Sequence, residues 1–195
     1  YKAIKGWTIQ TVSSDPSNPI LGQVWYNSTL GKVRVGQTQA AAWATSTAFN
    51  TARNTMASAG ISTAALIAGG DNGGPTDVTI TEIWDGSSWT EVGDLNEARF
   101  ALHGTGTSTA ALAWGGFDGA NIRNLSEEWN GTSWTEGNNL PAVKAQQGAA
   151  GIQTAALSIA GKYPSTTNLD TCEEYDGTSW TAGGDINTAR GDPMG

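Results

Sequence analysis

Apolar and polar residues in this chain never settle into helical spacing. Val33 and Val35 alternate with Lys32 and Arg34, the period-2 signal of a strand with one face buried. With Gly22 to Asn27 ahead of it, that stretch predicts two short strands joined at Asn27–Gly31, a hairpin that must pack on a repeat array or a neighbouring chain. Further along, short runs of small apolar residues recur: Thr63-Ala64-Ala65-Leu66, Thr109-Ala110-Ala111-Leu112 and Thr154-Ala155-Ala156-Leu157. Alanine favours helix by propensity, but Gly, Ser and Thr cut each run before an amphipathic face develops. Almost no helix is predicted.

The runs belong to a tandem repeat. Glu82-Ile83-Trp84-Asp85-Gly86-Ser87-Ser88-Trp89-Thr90 returns as Glu127-Glu128-Trp129-Asn130-Gly131-Thr132-Ser133-Trp134-Thr135 and as Glu173-Glu174-Tyr175-Asp176-Gly177-Thr178-Ser179-Trp180-Thr181. Trp89, Trp134 and Trp180 are 45 and 46 residues apart, and Trp43 lies 46 residues before Trp89. Ten residues after each Trp comes a basic residue: Arg53, Arg99, Lys144 and Arg190. A period of about 40–50 residues marks a propeller or an array.

Each unit reads as four strands. Strand A is predicted at 56–61, 102–107 and 147–152, and strand B at 64–68, 110–114 and 155–159, ending in Gly69-Gly70, Gly115-Gly116 or Ala160-Gly161. After a variable loop comes strand C at 79–84, 125–129 and 169–175. An Asp/Asn-Gly turn, a strong hairpin signal, then leads to strand D around each repeat Trp. Aromatics five apart flank that turn and are placed to pack across the C–D pair and on the adjacent unit. The repeated bases are read as ties between units through carbonyls or carboxylates. The repeat covers 43–195, with units at 53–97, 98–142 and 143–188 and the start of another at 189–195. Residues 1–42 form an N-terminal extension, with a turn or linker at Asp15-Pro16-Ser17-Asn18-Pro19. Because the chain stops inside a strand A and starts without Met, a longer protein is expected.

Composition narrows the function classes. Only 14% of residues are charged, against 26 glycines and nine tryptophans, a profile that suits all-β structure. The net charge of −8 argues against a nucleic-acid partner, which needs clustered Lys and Arg, and against an anionic membrane surface. No apolar run reaches the roughly 18 residues of a membrane span. One cysteine, Cys172, rules out an intrachain disulfide framework and any Cys-based zinc site; it reads as a small buried strand residue.

The Gly-Gly after an apolar strand, the Glu-Glu-Tyr/Trp stretch and the downstream Trp stand in the order and approximate spacing of a kelch blade, so 43–195 resembles kelch-type repeats. The more specific likeness is to kelch-like repeats in tail and fibre proteins of marine bacteriophages, with Ala-Gly-Gly-Asp and Thr-Ala-Arg following Glu173–Thr181. Ser14-Asp15-Pro16 through Gly22-Gln23-Val24-Trp25-Tyr26-Asn27-Ser28-Thr29 is similar to a piece preceding such arrays. Ala160-Gly161 for Gly-Gly and Lys144 for Arg depart from the pattern. The resemblance implies a kelch-like β-propeller, here about three four-stranded blades plus the N-terminal hairpin region. A closed ring takes about four to eight blades, so the remainder would come from further sequence or another subunit, with the Trp43 strand closing a last blade as its strand D.

Length variation falls between strands B and C, and so does variation in content. Varied loops on a rigid scaffold are where binding concentrates, although the plainer reading is that these are tolerant solvent loops. The candidate binding residues are Asp71, Asn72 and Asp77; Phe117, Asp118, Asn121 and Arg123; and Lys162, Tyr163 and Asn168. Catalytic readings fail. The single histidine, His103, reads as an incidental strand residue, and no metal cluster or nucleophile–base set assembles. Glu127/Glu128 and Glu173/Glu174 are strand neighbours on opposite faces that recur by repetition. The Asp-Gly-Thr-Ser-Trp stretch looks like a sialidase aspartate box one residue short. Three Asn-X-Ser/Thr patterns, at Asn27, Asn124 and Asn130, fit the glycosylation signature, but a prokaryotic virus would leave them bare. The expectation is a non-enzymatic virion structural protein of a phage tail or fibre, without cofactor or metal. Its partners would be other virion proteins or copies of itself, and a host-surface glycan or protein through the B–C loops. The alternatives are a binding module of a bacterial surface or secreted protein, or a non-catalytic part of a glycan-degrading enzyme.

Overall fold

The structure, a computed structural model, describes residues 9–17, 22–36, 45–74, 77–162 and 167–191. Two of the sequence candidates, Trp43 and Tyr163, lie outside the described residues, as do the Asn18-Pro19 end of the turn and the last four residues of the further unit. The chain divides into two compact units, Tyr1–Thr45 and Ser46–Gly195. Among the described residues there is no helix.

The first unit is a three-stranded sheet of β1 (Gln10–Val12), β2 (Val24–Asn27) and β3 (Lys32–Val35). The expected hairpin is β2–β3; β1, which the sequence pattern did not signal, adds in parallel to β2. The Asp15 carboxylate explains this return of the chain. It accepts from Trp25 Nε1 at 2.9 Å, Asn27 Nδ2 at 2.8 Å and Arg34 Nη2 at 2.7 Å. The Arg34 hydrogen bond, followed by those of Asn27 and Trp25, lowers the Asp15 pKa to about 2. Trp25 and Asn27 are buried on this side. On the other side, Val33 and Val35 are 58% and 52% exposed. The alternation predicted a half-buried strand, but its valine face is open because the polar hub sits on the opposite face.

The second unit contains three antiparallel sheets whose strands pair in chain order. They are β4 (Ala57–Ile61), β5 (Ala64–Ala68), β6 (Thr81–Trp84) and β7 (Trp89–Glu91); β8 (His103–Gly106), β9 (Ala111–Trp114), β10 (Ser126–Trp129) and β11 (Trp134–Glu136); and β12 (Gly148–Ile152), β13 (Ala155–Lys162), β14 (Asn168–Tyr175) and β15 (Trp180–Ala182). Within the two hairpins of each sheet, A–B and C–D, the turns fall where the repeat predicts them. Most strand ends agree with the expected ones to within one or two residues; the largest departure is strand B of the third unit, expected to stop at 159, where β13 runs on to Lys162.

The sheets stack through small residues. Strand β8 lies between β4 and β12, and a Cβ on Gly104 would stand 3.1 Å from the Ala57 Cβ. Between the first two sheets, Leu66, Ala68 and Leu95 pack against Ala111, Ala113, Trp129 and Trp134. Between the second and third, Leu112, Trp114 and Leu140 pack against Ala156, Tyr175 and Trp180. The indole of Trp134 donates to Thr81 Oγ1 at 2.9 Å, and that of Trp180 to Ser126 Oγ at 3.3 Å. Each of these two Trp residues therefore reaches the preceding sheet. It also stacks on the aromatic across its own hairpin, with ring centroids 5.4 Å apart for Trp129–Trp134 and 5.0 Å for Tyr175–Trp180. Hydrogen bonds at the strand-A entrances cross the same interfaces: Ala101 N–H donates to the Thr55 carbonyl and Gln146 N–H to the Ala101 carbonyl.

The departure from Gly-Gly in the third unit has a local account. Gly69 and Gly115 have φ of +69° and +66°, and a Cβ there would meet the Arg99 and Lys144 carbonyl oxygens at 2.7 and 2.6 Å. Ala160 occupies the matching position at φ +56°, a conformation that costs an L-residue about 1–2 kcal/mol. The ladder shifts register between Ile159 and Gly161, and this irregularity lets β13 and β14 continue beyond the point where the other sheets end.

Candidate functional site

The loops between strands B and C start from a shared anchor. The first residue beyond the Gly-Gly position bridges the residue after the repeat base: Asp71 to Asn54, Phe117 to Phe100, and Lys162 to Ala145. In the same way Gly70, Gly116 and Gly161 donate their N–H groups to the carbonyls of Arg99, Lys144 and Arg190. This ties each loop base to the start of the next unit.

Beyond the anchors the three loops differ. In the first, Asp71 and Asn72 close local turns by accepting the Gly73 and Gly74 N–H groups at 2.7 and 2.9 Å. In the second, Asp118 accepts from the Ala120 and Asn121 amides at 2.9 and 2.6 Å and pairs with Arg123 Nη2 at 2.6 Å. Arg123 also lies 3.8 Å from Glu97, and Phe117 packs edge-on against Phe100. The first two loops meet. A Cβ on Gly119 would stand 3.4 Å from Asp77 Oδ2. Burial, with the nearby Asp71 and Asp118 charges adding to it, raises the Asp77 pKa. In Asp118 the amides and Arg123 outweigh burial and lower it. Lys162 and Asn168 sit apart from this group and face each other across β13–β14, so two residues expected in a loop belong to strands.

Beneath the loops lies a layer of buried charge. Arg53 Nη1 contacts Glu82 at 2.6 Å, Arg99 Nη2 contacts Glu127 at 2.7 Å, and Lys144 Nζ contacts Glu173 at 2.5 Å, all essentially without solvent exposure. Arg99 Nη1 also donates to the Gly115 and Leu125 carbonyls, and Lys144 Nζ to Thr171. Burial lowers the Arg99 pKa, opposed by Glu127. For Glu82, burial raises the pKa, but the Asn50 amide, Arg53 and the Thr51 amide together bring it below the ordinary value. Asn96 supplies the corresponding amide to Glu127. The third unit has Pro141 at that position, which has no N–H to give.

The glutamates of these pairs escaped the sequence reading, which took the paired Glu residues as by-products of repetition. Their signal was present: each base precedes its glutamate by 28 or 29 residues. Glu127 and Glu128 do face opposite ways, Glu127 to Arg99 and Glu128 to the hydroxyl of Tyr175 in the next sheet. Burial and then the Glu128 hydrogen bond push the Tyr175 pKa up. Arg190 is exposed, donates Nε to the Thr188 carbonyl and bridges Leu169 through its backbone. Trp89 packs on Trp84 and Phe49. His103 stands in β8 opposite Trp114, at the place held by Ala57 and Gly148. Among the described residues no group of three or more His, Cys, Asp or Glu side chains is arranged to hold a metal ion.

The arrangement is a rigid repeated base bearing dissimilar polar loops, with carboxylates, amides and one guanidinium offered for hydrogen bonding. Compared with known proteins, the sequence matches no family model and no curated protein.

Proposed function

We propose that this chain is a kelch-like β-propeller segment of a phage tail or fibre, a non-enzymatic virion structural protein that contacts a host-surface glycan or protein through its B–C loops. One observation carries the binding part of this reading. The loops at Asp71–Asp77 and at Phe117–Arg123 share the same backbone anchors, yet they present unrelated side chains that meet at Asp77 and Gly119. Constancy below and variety above is the division of labour expected of a recognition surface. Hydrogen-bonding side chains fixed by local turns suit a hydroxyl-rich or polar partner, because their ordering cost is met before binding. The propeller reading is supported by four-stranded antiparallel sheets stacked in chain order, with their first strands adjacent. The virion reading rests on the repeat resemblance.

The test is a triple replacement of 72–77, 118–122 and 163–167 by Gly/Ser segments of equal length, with the anchor residues kept. The far-UV spectrum and melting cooperativity should persist while attachment to host cells is lost. Undiminished attachment would remove the loops from the function.

A further inference from the structure

The second C–D turn carries an amide where its two counterparts carry acids. Asp85 and Asp176 open the turns of the first and third sheets, and Asn130 opens that of the second. All three side chains make the same contacts. Asp85 Oδ1 accepts the Ser87 and Ser88 N–H groups, both at 2.8 Å, and Asp176 Oδ1 accepts those of Thr178 and Ser179, both at 2.8 Å. Asn130 Oδ1 accepts those of Thr132 and Ser133 at 2.9 and 3.0 Å. Such donors favour a carboxylate over its acid. The Ser87 hydroxyl, then the Ser88 and Ser87 amides, lower the Asp85 pKa to about 2, and the Ser179 and Thr178 amides lower that of Asp176. The turn thus suits a carboxylate at the one place where the sequence has asparagine.

The surroundings of Asn130 also supply the parts for its own conversion. The next residue is Gly131, at φ +94°, with no Cβ to crowd its nitrogen, and its N–H donates to no group among the described residues. Asn130 and Ser133 are exposed, so water reaches the site. The two N–H groups on Oδ1 polarise the side-chain carbonyl and stabilise negative charge that develops there, as an oxyanion hole does. At the other end of the same amide, Nδ2 lies 3.3 Å from Ser133 Oγ, a hydroxyl able to give a proton to a departing amine.

We propose that Asn130 is a self-modification site, converted by its own turn to an aspartate with an ordinary peptide linkage. The Gly131 nitrogen loses its proton to water or hydroxide and attacks Asn130 Cγ. The Cγ–Nδ2 bond breaks, Nδ2 leaves as ammonia with a proton passed through Ser133 Oγ, and a five-membered imide remains. Water then adds to Cγ, the bond from Cγ to the Gly131 nitrogen breaks, and that nitrogen recovers its proton. The sum is one water consumed and one ammonia released. The turn decides which way the ring opens. Without neighbours, water attacks the main-chain carbonyl more readily, because the adjacent acylamino group draws electrons from it, and the product is the chain-lengthened isoaspartate. Here Thr132 and Ser133 polarise Cγ instead. Isoaspartate would put an extra backbone atom between Trp129 and Trp134, which pair across the hairpin; aspartate restores the contacts made by Asp85 and Asp176. The product adds one negative charge to a chain of net charge −8. The proposal rests on the turn and not on the assignment to a virion, so failure of host attachment leaves it untouched.

The experiment incubates the folded 195-residue chain in mildly alkaline buffer and follows the Asn130 peptide by digestion and mass spectrometry, with an isoaspartyl assay for the linkage. The other Asn-Gly pair, Asn72-Gly73, is the internal reference, since a single amide, that of Gly74, holds the Asn72 Oδ1. Asn130 should gain the mass of an amide-to-acid exchange and give chiefly aspartate, whereas the same site in urea should give chiefly isoaspartate. Ser133→Ala, a change at an exposed residue, should keep the fold, slow the native-state conversion several-fold and leave the rate in urea unchanged. Asn130→Asp, made directly, should keep the wild-type circular dichroism and melt no lower than wild type at neutral pH. An Asn130 that stays an amide in the folded chain overturns the proposal, and conversion of Asn72 in the same sample shows that the conditions suffice. Isoaspartate as the main native product overturns the directing role of the two amides. A Ser133→Ala rate equal to wild type removes the hydroxyl from the step, and an Asn130→Asp chain that melts lower overturns the fit of a carboxylate to the turn.

Discussion

Glu127 and Glu128 are neighbours of identical chemistry with unequal consequences for stability. Glu127 is buried and holds the Arg99 guanidinium, which has no solvent exposure; Glu128 is half-buried and accepts the Tyr175 hydroxyl. Replacing one partner of a buried pair leaves an uncompensated charge, and that cost is about 3–5 kcal/mol. Losing a hydrogen bond at a half-buried site costs about 1 kcal/mol. Glu127→Gln should therefore lower the urea midpoint several-fold more than Glu128→Gln, with the slope of the transition unchanged. Equal shifts would mean that the Arg99 charge is not confined by its surroundings. The alternation of faces along this strand was legible from sequence. The identity of each partner was not, because Arg99 lies 28 residues from Glu127 and Tyr175 lies 47 from Glu128, distances that local patterning does not sense.

Strand elements were legible wherever one turn chemistry recurred. The strand at 64–68 and the three C–D hairpins follow directly from small apolar runs and Asp/Asn-Gly turns, since those residues favour one backbone path. Two elements were hidden for physical reasons. Strand β1 is short, polar and parallel to its partner, and its cause is the distant Asp15 hub. The extension of β13 and β14 depends on a register shift at Ala160 that leaves no periodic trace. Between elements, the repeat Trp links adjacent sheets. Trp134 Nε1 bonds a buried hydroxyl, whereas Trp89 has no acceptor among the described residues. Trp134→Phe should cost about 1–3 kcal/mol through the lost bond and the stranded hydroxyl. Trp89→Phe should cost under about 1 kcal/mol, because no buried partner is abandoned. Paired denaturation curves compare the two, and a larger loss at Trp89 would overturn the account of the interface.

At the scale of the whole molecule, acidity acts through two opposed groups of carboxylates on a chain of net charge −8. Asp15 and Asp85 have pKa values lowered from 3.8 to about 2, Asp15 chiefly by Arg34 and Asp85 chiefly by the Ser87 hydroxyl. A lowered folded pKa contributes stability that is fully present above the unfolded value and lost as pH falls through the folded one. Asp77 runs the other way. Burial, then Asp71 and Asp118, raise its pKa above 3.8. The unfolded chain thus ionises first as pH rises, and the folded state loses stability between the unfolded and folded values. Below both values Asp77 contributes nothing, and at neutral pH it is a net cost. Asp77→Asn should therefore raise the melting temperature at pH 7 and match wild type near pH 2–3, provided the amide keeps the carboxyl's place beside Gly119. Asp85→Asn should do the reverse, lowering stability at pH 7 and converging on wild type in acid. Melting curves of both variants across that range decide the matter: if Asp77→Asn is destabilised at neutral pH, Asp77 is held by a favourable contact and the first two B–C loops are not an electrostatically strained pair.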